Sequence, residues 1–293
     1  MIKKLIFLLF AGALLPGSVA AQQYTITAPS KILKAEITDE RFDLSGICTR
    51  NNRWYVIADK PFNHFLYHID TAGGKVTGKG RLSVNVPARL DMEGVDAYSE
   101  GFFFCDERHS SVYFFNGRDV SPVKMDWGAI NIDSWGNRGL EGLAIDTVNN
   151  MIYLGKERQP KKLFRVPFSG GKVEEAMVGL TREKQFQVAD LKYRDGFLYI
   201  LDRANYRVLK VNISGERISA VLDYSKVLNH RGEKFYSKAR YPMAEALLLT
   251  PSSVIIGLDN NGDELNNENF WVKQSGLAGD KPVILFFSRP EQF

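Results

Sequence analysis

The chain has 293 residues, of which 44% are hydrophobic and 25% charged, with a formal net charge of +4. That balance excludes a disordered polymer, and the scattered basic residues exclude a dedicated nucleic-acid face. Two cysteines and four histidines at unhelpful spacings are too few for a disulfide scaffold or a zinc site.

Residues 1–21 have the layout of a secretory signal. Lys3 and Lys4 form the positive start, Leu5 to Leu15 the apolar centre, and Ser18-Val19-Ala20-Ala21 a small-residue cleavage site. The sequence therefore predicts a periplasmic or secreted protein with no stable membrane insertion after cleavage. The apolar run is too short for a comfortable span. Without Lys3 and Lys4 the formal charge falls from +4 to +2, close to neutral.

From residue 22 onward, helical periodicity is scarce. Short Val, Ile, Phe, Tyr and Leu runs alternate with Gly, Asn, Asp and Ser, which is an all-β pattern. Five segments superimpose: "FDLSGICTRNNRWYVIADK" from Phe42, "LDMEGVDAYSEGFFFCDER" from Leu90, "RGLEGLAIDTVNNMIYLGKER" from Arg138, "QVADLKYRDGFLYILDRA" from Gln187 and "PMAEALLLTPSSVIIGLDN" from Pro242. Their equivalent positions are assigned as Ser45, Glu93, Glu141, Asp190 and Glu245. Repeats of about 50 residues, each with strand, turn, strand and charged hairpin, predict propeller blades. Five blades fill residues 22–293 as one β-propeller. Six remains the alternative if a degenerate blade hides in 113–137 or 213–241. "KPVILFFS" (281–288) is free to close the ring beside "KILKAEIT" (31–38).

In a blade the first strand lines the channel and the second runs antiparallel to it. The start of one therefore lies beside the end of the other. Ser45 with Asp59, Glu93 with Asp106, Glu141 with Lys156 and Glu157, Asp190 with Asp202, and Glu245 with Asp259 should all meet at one channel mouth. The inner ring would hold four carboxylates, and so many cannot remain ionised together without counter-charge. The options are raised pKa values, neighbouring Lys60, Arg108, Lys156, Arg158 and Arg203, or a hard cation. Calcium, or less favourably magnesium, suits an oxygen-only set. The expected metal ligands are Glu93, Glu141, Asp190 and Glu245. The expected ligand-binding residues are Asp59, Asp106, Glu107, Arg108, Arg158, Asp202, Arg203 and Asp259.

Other features offer less. "DNNGDELNNEN" (259–269) has the 1-3-5 acidic spacing of a calcium loop but lacks its glycine and terminal glutamate, so it is assigned as a surface loop. There is no G-x-S-x-G elbow. If the mouth is catalytic, Glu141 or Glu157 is the candidate base, with His109 a further one. Cys48 and Cys105 lie in apolar runs and are expected to be buried thiols more readily than a disulfide. "KMDWGAINIDSWGN" (124–137), with Trp127 and Trp135, is a candidate lid.

The elements "LSGI", "MEGV", "LEGL", "ADLK" and "AEAL", followed by "IADK", "CDER", "GKER", "LDRA" and "GLDN", resemble the blades of exported bacterial propellers of the SdiA-regulated type. They also resemble the related esterase-like-activity-of-phytase type. The resemblance implies a calcium-binding propeller of the cell envelope. Ser45 departs from the acidic pattern, and the His and Asn complement of lactonase-type sites is missing. Three readings follow. One is a calcium-binding propeller that recognises a small-molecule or envelope ligand at the mouth. Another is a metal-dependent hydrolase of an ester, lactone or phosphoester, and the third is a structural or protein-binding scaffold. Oligomeric state is not legible in the sequence.

Overall fold

The computed structural model describes residues 20–37, 41–60, 64–82, 90–136, 138–157, 162–177, 180, 186–238 and 243–293. The signal segment up to residue 19 and Arg158 lie outside the described residues. Two short N-terminal strands, β1 (Gln22–Thr25) and β2 (Lys31–Lys34), precede the repeats. Blade 1 comprises β3 (Leu44–Arg50), β4 (Arg53–Ala58), β5 (Phe65–Ile69) and β6 (Val76–Arg81). Blade 2 comprises β7 (Met92–Tyr98), β8 (Gly101–Asp106), β9 (Ser111–Phe115) and β10 (Val120–Pro122). After β11 (Met125–Asp126) comes blade 3, with β12 (Leu140–Asp146), β13 (Met151–Lys156) and β14 (Lys162–Pro167). The short β15 (Gly171–Lys172) pairs with β11, and β16 (Glu174–Ala176) forms the outer edge of blade 3. Blade 4 comprises β17 (Val188–Arg194), β18 (Phe197–Asp202), β19 (Arg207–Asn212) and β20 (Arg217–Asp223), with β1 added in parallel outside β20.

Blade 5 closes the ring. Its strands β21 (Ala244–Leu249), β22 (Ser253–Leu258) and β23 (Val283–Ser288) are joined by β2 as the outermost strand, with Ile32 opposite Leu285 and Lys34 opposite Val283. Pairing the two ends of the repeat region removes an open seam and holds the ring shut. Five blades are present, as the repeat spacing predicts.

The core is divided in the same way. Each seam between neighbouring blades has its own apolar cluster, for example Cys48, Ile57, Met92 and Val95 between blades 1 and 2, and Ala144, Tyr153, Val188 and Leu191 between blades 3 and 4. Burial on both faces explains the runs such as "GFFFC" and "FLYIL", whose side chains serve the two flanking seams alternately. Cys48 and Cys105 are free, buried thiols in separate seams. Burial pushes both thiols up, so neither is a ready nucleophile. Trp127 and Trp135 pack against Phe164 of β14 at 5.2 and 5.8 Å between ring centres. Trp135 is buried, and neither indole lines the mouth, so this segment is part of the blade 3 packing and not a lid.

Candidate functional site at the channel mouth

One irregularity recurs in every innermost strand. The register against the second strand slips after Leu44, Met92, Leu140, Val188 and Ala244. A bulge adds a residue to one strand and re-aims its side chain. The residues at this position are Ser45, Glu93, Glu141, Ala189 and Glu245. Three of the four expected inner carboxylates, Glu93, Glu141 and Glu245, line the mouth.

Asp190 does not, which corrects the expected metal set. Counting from the register, the blade 4 equivalent of Glu141 is Ala189, and Asp190 occupies the position of Gly142. That glycine position faces the next blade: a Cβ at Gly94 would lie 2.6 Å from the Leu143 amide nitrogen, and one at Gly142 2.8 Å from the Asp190 Cα. From this deeper level Asp190 accepts hydrogen bonds from the Leu191 and Leu247 amides, each at 2.7 Å. It also pairs with Lys192 at 3.0 Å. Lys192 donates across the channel to the Val95 carbonyl of blade 2 at 3.1 Å. On that side Asp96 accepts from the Ile145 amide of blade 3 at 3.1 Å. Blades 2 to 5 are thus laced together beneath the mouth, and the channel is closed there by a buried ionic plug.

The second ring is also displaced by one residue from expectation in two blades. The amides of Asp59, Glu107, Arg203 and Asp259 donate to the carbonyls of Asp43, Asp91, Gln187 and Met243 respectively, at 2.8–3.2 Å. These four therefore hold equivalent positions, and with Glu157 they all line the mouth. Asp106 and Asp202 are the preceding residues. Side chains alternate along a strand, so both turn away. Asp106 accepts from the Asp91 amide at 3.0 Å and holds the His109 ring. Asp202 accepts from the Gln187 amide, Asn205 and Arg207 at 2.8–2.9 Å. Both are hairpin supports and not ligand-binding residues. His109 sits with Asp106 outside the mouth, which removes it as a base there. Arg108 flanks the mouth and reaches Asp91 at 3.4 Å.

The result is a cup of about 450 Å³. Among the described lining residues, Asp59, Glu93, Glu107, Glu141, Glu157, Glu245 and Asp259 face two cations, Lys60 and Arg203. The charges are unevenly shared around the ring. Over blades 3 to 5, the Arg203 guanidinium is fanned between Glu157 and Glu245 in one buried ion network. Glu141 hydrogen-bonds Glu157, and its carboxyl is held well above the ordinary range, chiefly by burial, with Glu157 and Glu107 adding to the shift and Arg203 opposing it.

Over blades 1 and 2 the balance differs. Asp59, Asp91 and Glu93 bring carboxylate oxygens within 4.8 Å of one another. Burial, followed by the charges of Glu141, Asp59, Glu107 and Asp91, lifts Glu93 well above its usual value. Burial raises Asp59 to about 6 against the pull of Lys60, and raises Asp259 to about 7 with Asp43 adding to it. Asp59 Oδ1 is buried with no hydrogen-bond partner among the described residues. An oxygen-only, acid-rich set with an unsatisfied buried oxygen suits a hard divalent cation. Of the expected metal ligands, only Glu93 belongs to this group. Asp91 is an addition, and its signal was the shared D-x-[SE]-G spelling of "DLSG" and "DMEG". Ser45 lines the cup, and its hydroxyl donates to the Met92 carbonyl at 2.6 Å and sews blade 1 to blade 2.

Fold and mouth together define a five-bladed β-propeller with an acid-lined cup at one end of a plugged channel. Residues 18–227 match the family model for SdiA-regulated proteins, and the chain belongs to the SdiA-regulated family. Among solved structures it is similar to the glutaminyl cyclase of Myxococcus xanthus, at 9% identity over 92% of this chain and 100% of that one, with a TM-score of 0.57. A nidogen/laminin complex matches at 13% identity over 76% of this chain and 74% of that one, with a TM-score of 0.49. At 9% identity the likeness to the cyclase is one of fold. No curated protein matches the sequence.

Proposed function

We propose that this is an exported propeller that binds a divalent cation, calcium, at blades 1 and 2 of the mouth and recognises a polar small-molecule or envelope ligand in the cup above it. The observation that carries this reading is the convergence of Asp59, Asp91 and Glu93 within 4.8 Å. The buried Asp59 Oδ1, without a hydrogen-bond partner among the described residues, supports it. Calcium accepts irregular oxygen sets and would offset the burial and carboxylate repulsion that lift Glu93. Metal analysis of the purified protein, with calcium titration calorimetry and melting with and without chelator, tests the reading. One bound calcium, a melting temperature lowered by chelator, and loss of both in Asp59→Asn and Glu93→Gln are expected. No bound metal and no chelator effect would overturn it and favour the scaffold reading.

A second reading is favoured by the hydrogen-bonded Glu141–Glu157 pair beside Arg203. A buried carboxyl whose pKa is raised, hydrogen-bonded to a second carboxyl group, is the donor–acceptor geometry that hydrolysis uses. In this reading a cation held by Asp59, Asp91 and Glu93 would supply electrostatic polarisation of a scissile carbonyl or phosphoryl group. Glu157 takes the proton of the attacking water, and Glu141 gives one to the leaving group. Turnover of ester, lactone or phosphoester substrates that disappears in Glu157→Gln, with calcium binding retained, distinguishes hydrolysis from ligand binding alone.

A further inference from the structure

We infer that Lys60 and Arg108 are tethered counter-cations of the mouth, which hold its aspartates while no divalent ion is bound and must withdraw for one to bind. This rests on the cation-site reading above and adds how that site is regulated. The two residues occupy the same place in consecutive blades, because Lys60 follows Asp59, Arg108 follows Glu107, and those two are equivalent by their amide bonds to Asp43 and Asp91. Each reaches an aspartate of the cluster. The Lys60 ammonium lies 2.6 Å from Asp59 Oδ2 and 2.9 Å from Asp43 Oδ2. Arg108 lies 3.4 Å from Asp91 Oδ2.

The neutralisation they provide is incomplete. Asp43 has a 1% exposed side chain, and Arg41 and Lys60 both bind its Oδ2, yet its Oδ1 has no hydrogen-bond partner among the described residues. Asp59 repeats the pattern among the described residues, with Oδ2 on Lys60 and Oδ1 unpartnered. Lys60 thus stands between two carboxylates, with Arg41 also on that of Asp43, and among the described residues one buried oxygen on each has no partner. A divalent cation carries twice the charge and can engage carboxylates through both oxygens.

The arms can also leave. The Lys60 and Arg108 side chains are 23% and 42% exposed, and each residue lies two positions past the end of a second strand, so their charged tips can swing into water without disturbing a seam. Arg203, at the blade 4 position equivalent to Asp59, is different. It is 10% exposed and locked between two glutamates, so it is a fixed part of the wall.

Calcium titration calorimetry on wild type, Lys60→Met and Lys60→Arg tests the inference. Removing a competing charge should tighten calcium binding by about tenfold, whereas Lys60→Arg should stay near wild type. Arg108→Met should act in the same direction but less, given its longer contact and greater exposure. In chelator, Lys60→Met should melt below wild type, and calcium should raise its melting temperature by more than it raises that of wild type. Calcium binding by wild type with equal or weaker binding by Lys60→Met would overturn the inference and leave the cation site standing. Absence of calcium binding in all of the proteins would overturn both.

Discussion

Lys192→Met is the most demanding test of the ring. Lys192 is buried, bonds both oxygens of Asp190 at 3.0 and 3.2 Å, and donates to the Val95 and Leu191 carbonyls at 3.1 and 2.9 Å. Methionine fills much of the same volume but supplies no charge and no donor. Asp190, already raised by burial to about 7 even with Lys192 beside it, would lose the partner that draws it down. Two buried carbonyls would lose their donor as well. Removing one member of a buried ion pair costs about 3–5 kcal/mol, because the surviving charge stays desolvated. For a domain of this size that corresponds to a drop of roughly 10 °C in melting temperature. Urea denaturation of wild type, Lys192→Met, Asp190→Asn and the double variant gives the coupling directly. The double variant should be less destabilised than the sum of the single variants, since neither leaves an unpaired charge once both are gone. A loss below about 1 kcal/mol in Lys192→Met would refute the view that this amine closes the channel and laces the blades.

Three further outcomes are expected. Asp59 and Asp259 bind protons more tightly when folded, at about 6 and about 7, than their ordinary 3.8. Their contribution to stability is therefore complete below about pH 4 and is lost as pH rises through 6–7. Melting temperature in chelator should fall over that window, and saturating calcium should flatten the fall. Arg203→Met leaves Glu157 and Glu245 facing each other and should cost about 3–5 kcal/mol in urea titration, whereas Arg203→Lys should recover only part, lacking the guanidinium fork. Gly94→Ala places a Cβ 2.6 Å from the Leu143 amide and should lower stability by about 3 kcal/mol or more, while leaving the unfolding slope unchanged.

Blade number, blade boundaries and ring closure were legible because each blade repeats the same physical task. A strand buried on both faces must be near-continuously apolar, and the bulge at its start places a polar residue at the mouth, followed in blades 1 to 3 by a glycine at a close approach. That gives the recurrent "SG" and "EG" spellings. The closing strand was visible because "KPVILFFS", which pairs with β22 inside its own blade, leaves its other edge for "KILKAEIT" ahead of the first repeat. The misplacements have equally specific causes. Asp190 was aligned by residue type, whereas the spacing from Glu141 points to Ala189, at the same 48-residue interval that separates Ser45, Glu93 and Glu141. An acidic letter in a repeat does not say whether it serves a cup or a plug one residue deeper. Asp106 and Asp202 failed by the same one-residue margin, since the mouth receives the residue after the strand and not the last one within it. Asp43 and Asp91 were missed because they precede the strands. Their approach to the cluster depends on how blades 1 and 2 stand side by side, which no single repeat contains.

The departures from the repeat are what give the mouth a direction. Five identical blades would build a ring of equivalent carboxylates with no preferred place for a cation. Blade 4 breaks the ring with Ala189 inside and Arg203 outside, and the guanidinium draws in Glu157 and Glu245 from its neighbours. That gathers neutralised charge on one side. Blade 1 substitutes Ser45, whose hydroxyl is spent on the Met92 carbonyl, but retains Asp43 and Asp59 beside Asp91 and Glu93. The oxygens left without a partner among the described residues therefore collect on the opposite side, where Arg41 and the two partly exposed arms of Lys60 and Arg108 attend the aspartates. A site with fixed counter-charge on one wall and removable counter-charge on the other is suited to reversible occupation. Exchanging Ala189 for Glu would restore the inner ring, compete for Arg203 and spread the negative charge around the mouth. Its expected consequence is weaker discrimination between the two sides, measurable as a second, lower-affinity calcium event in calorimetry, and a single unchanged event would show that the direction is set by blades 1 and 2 alone.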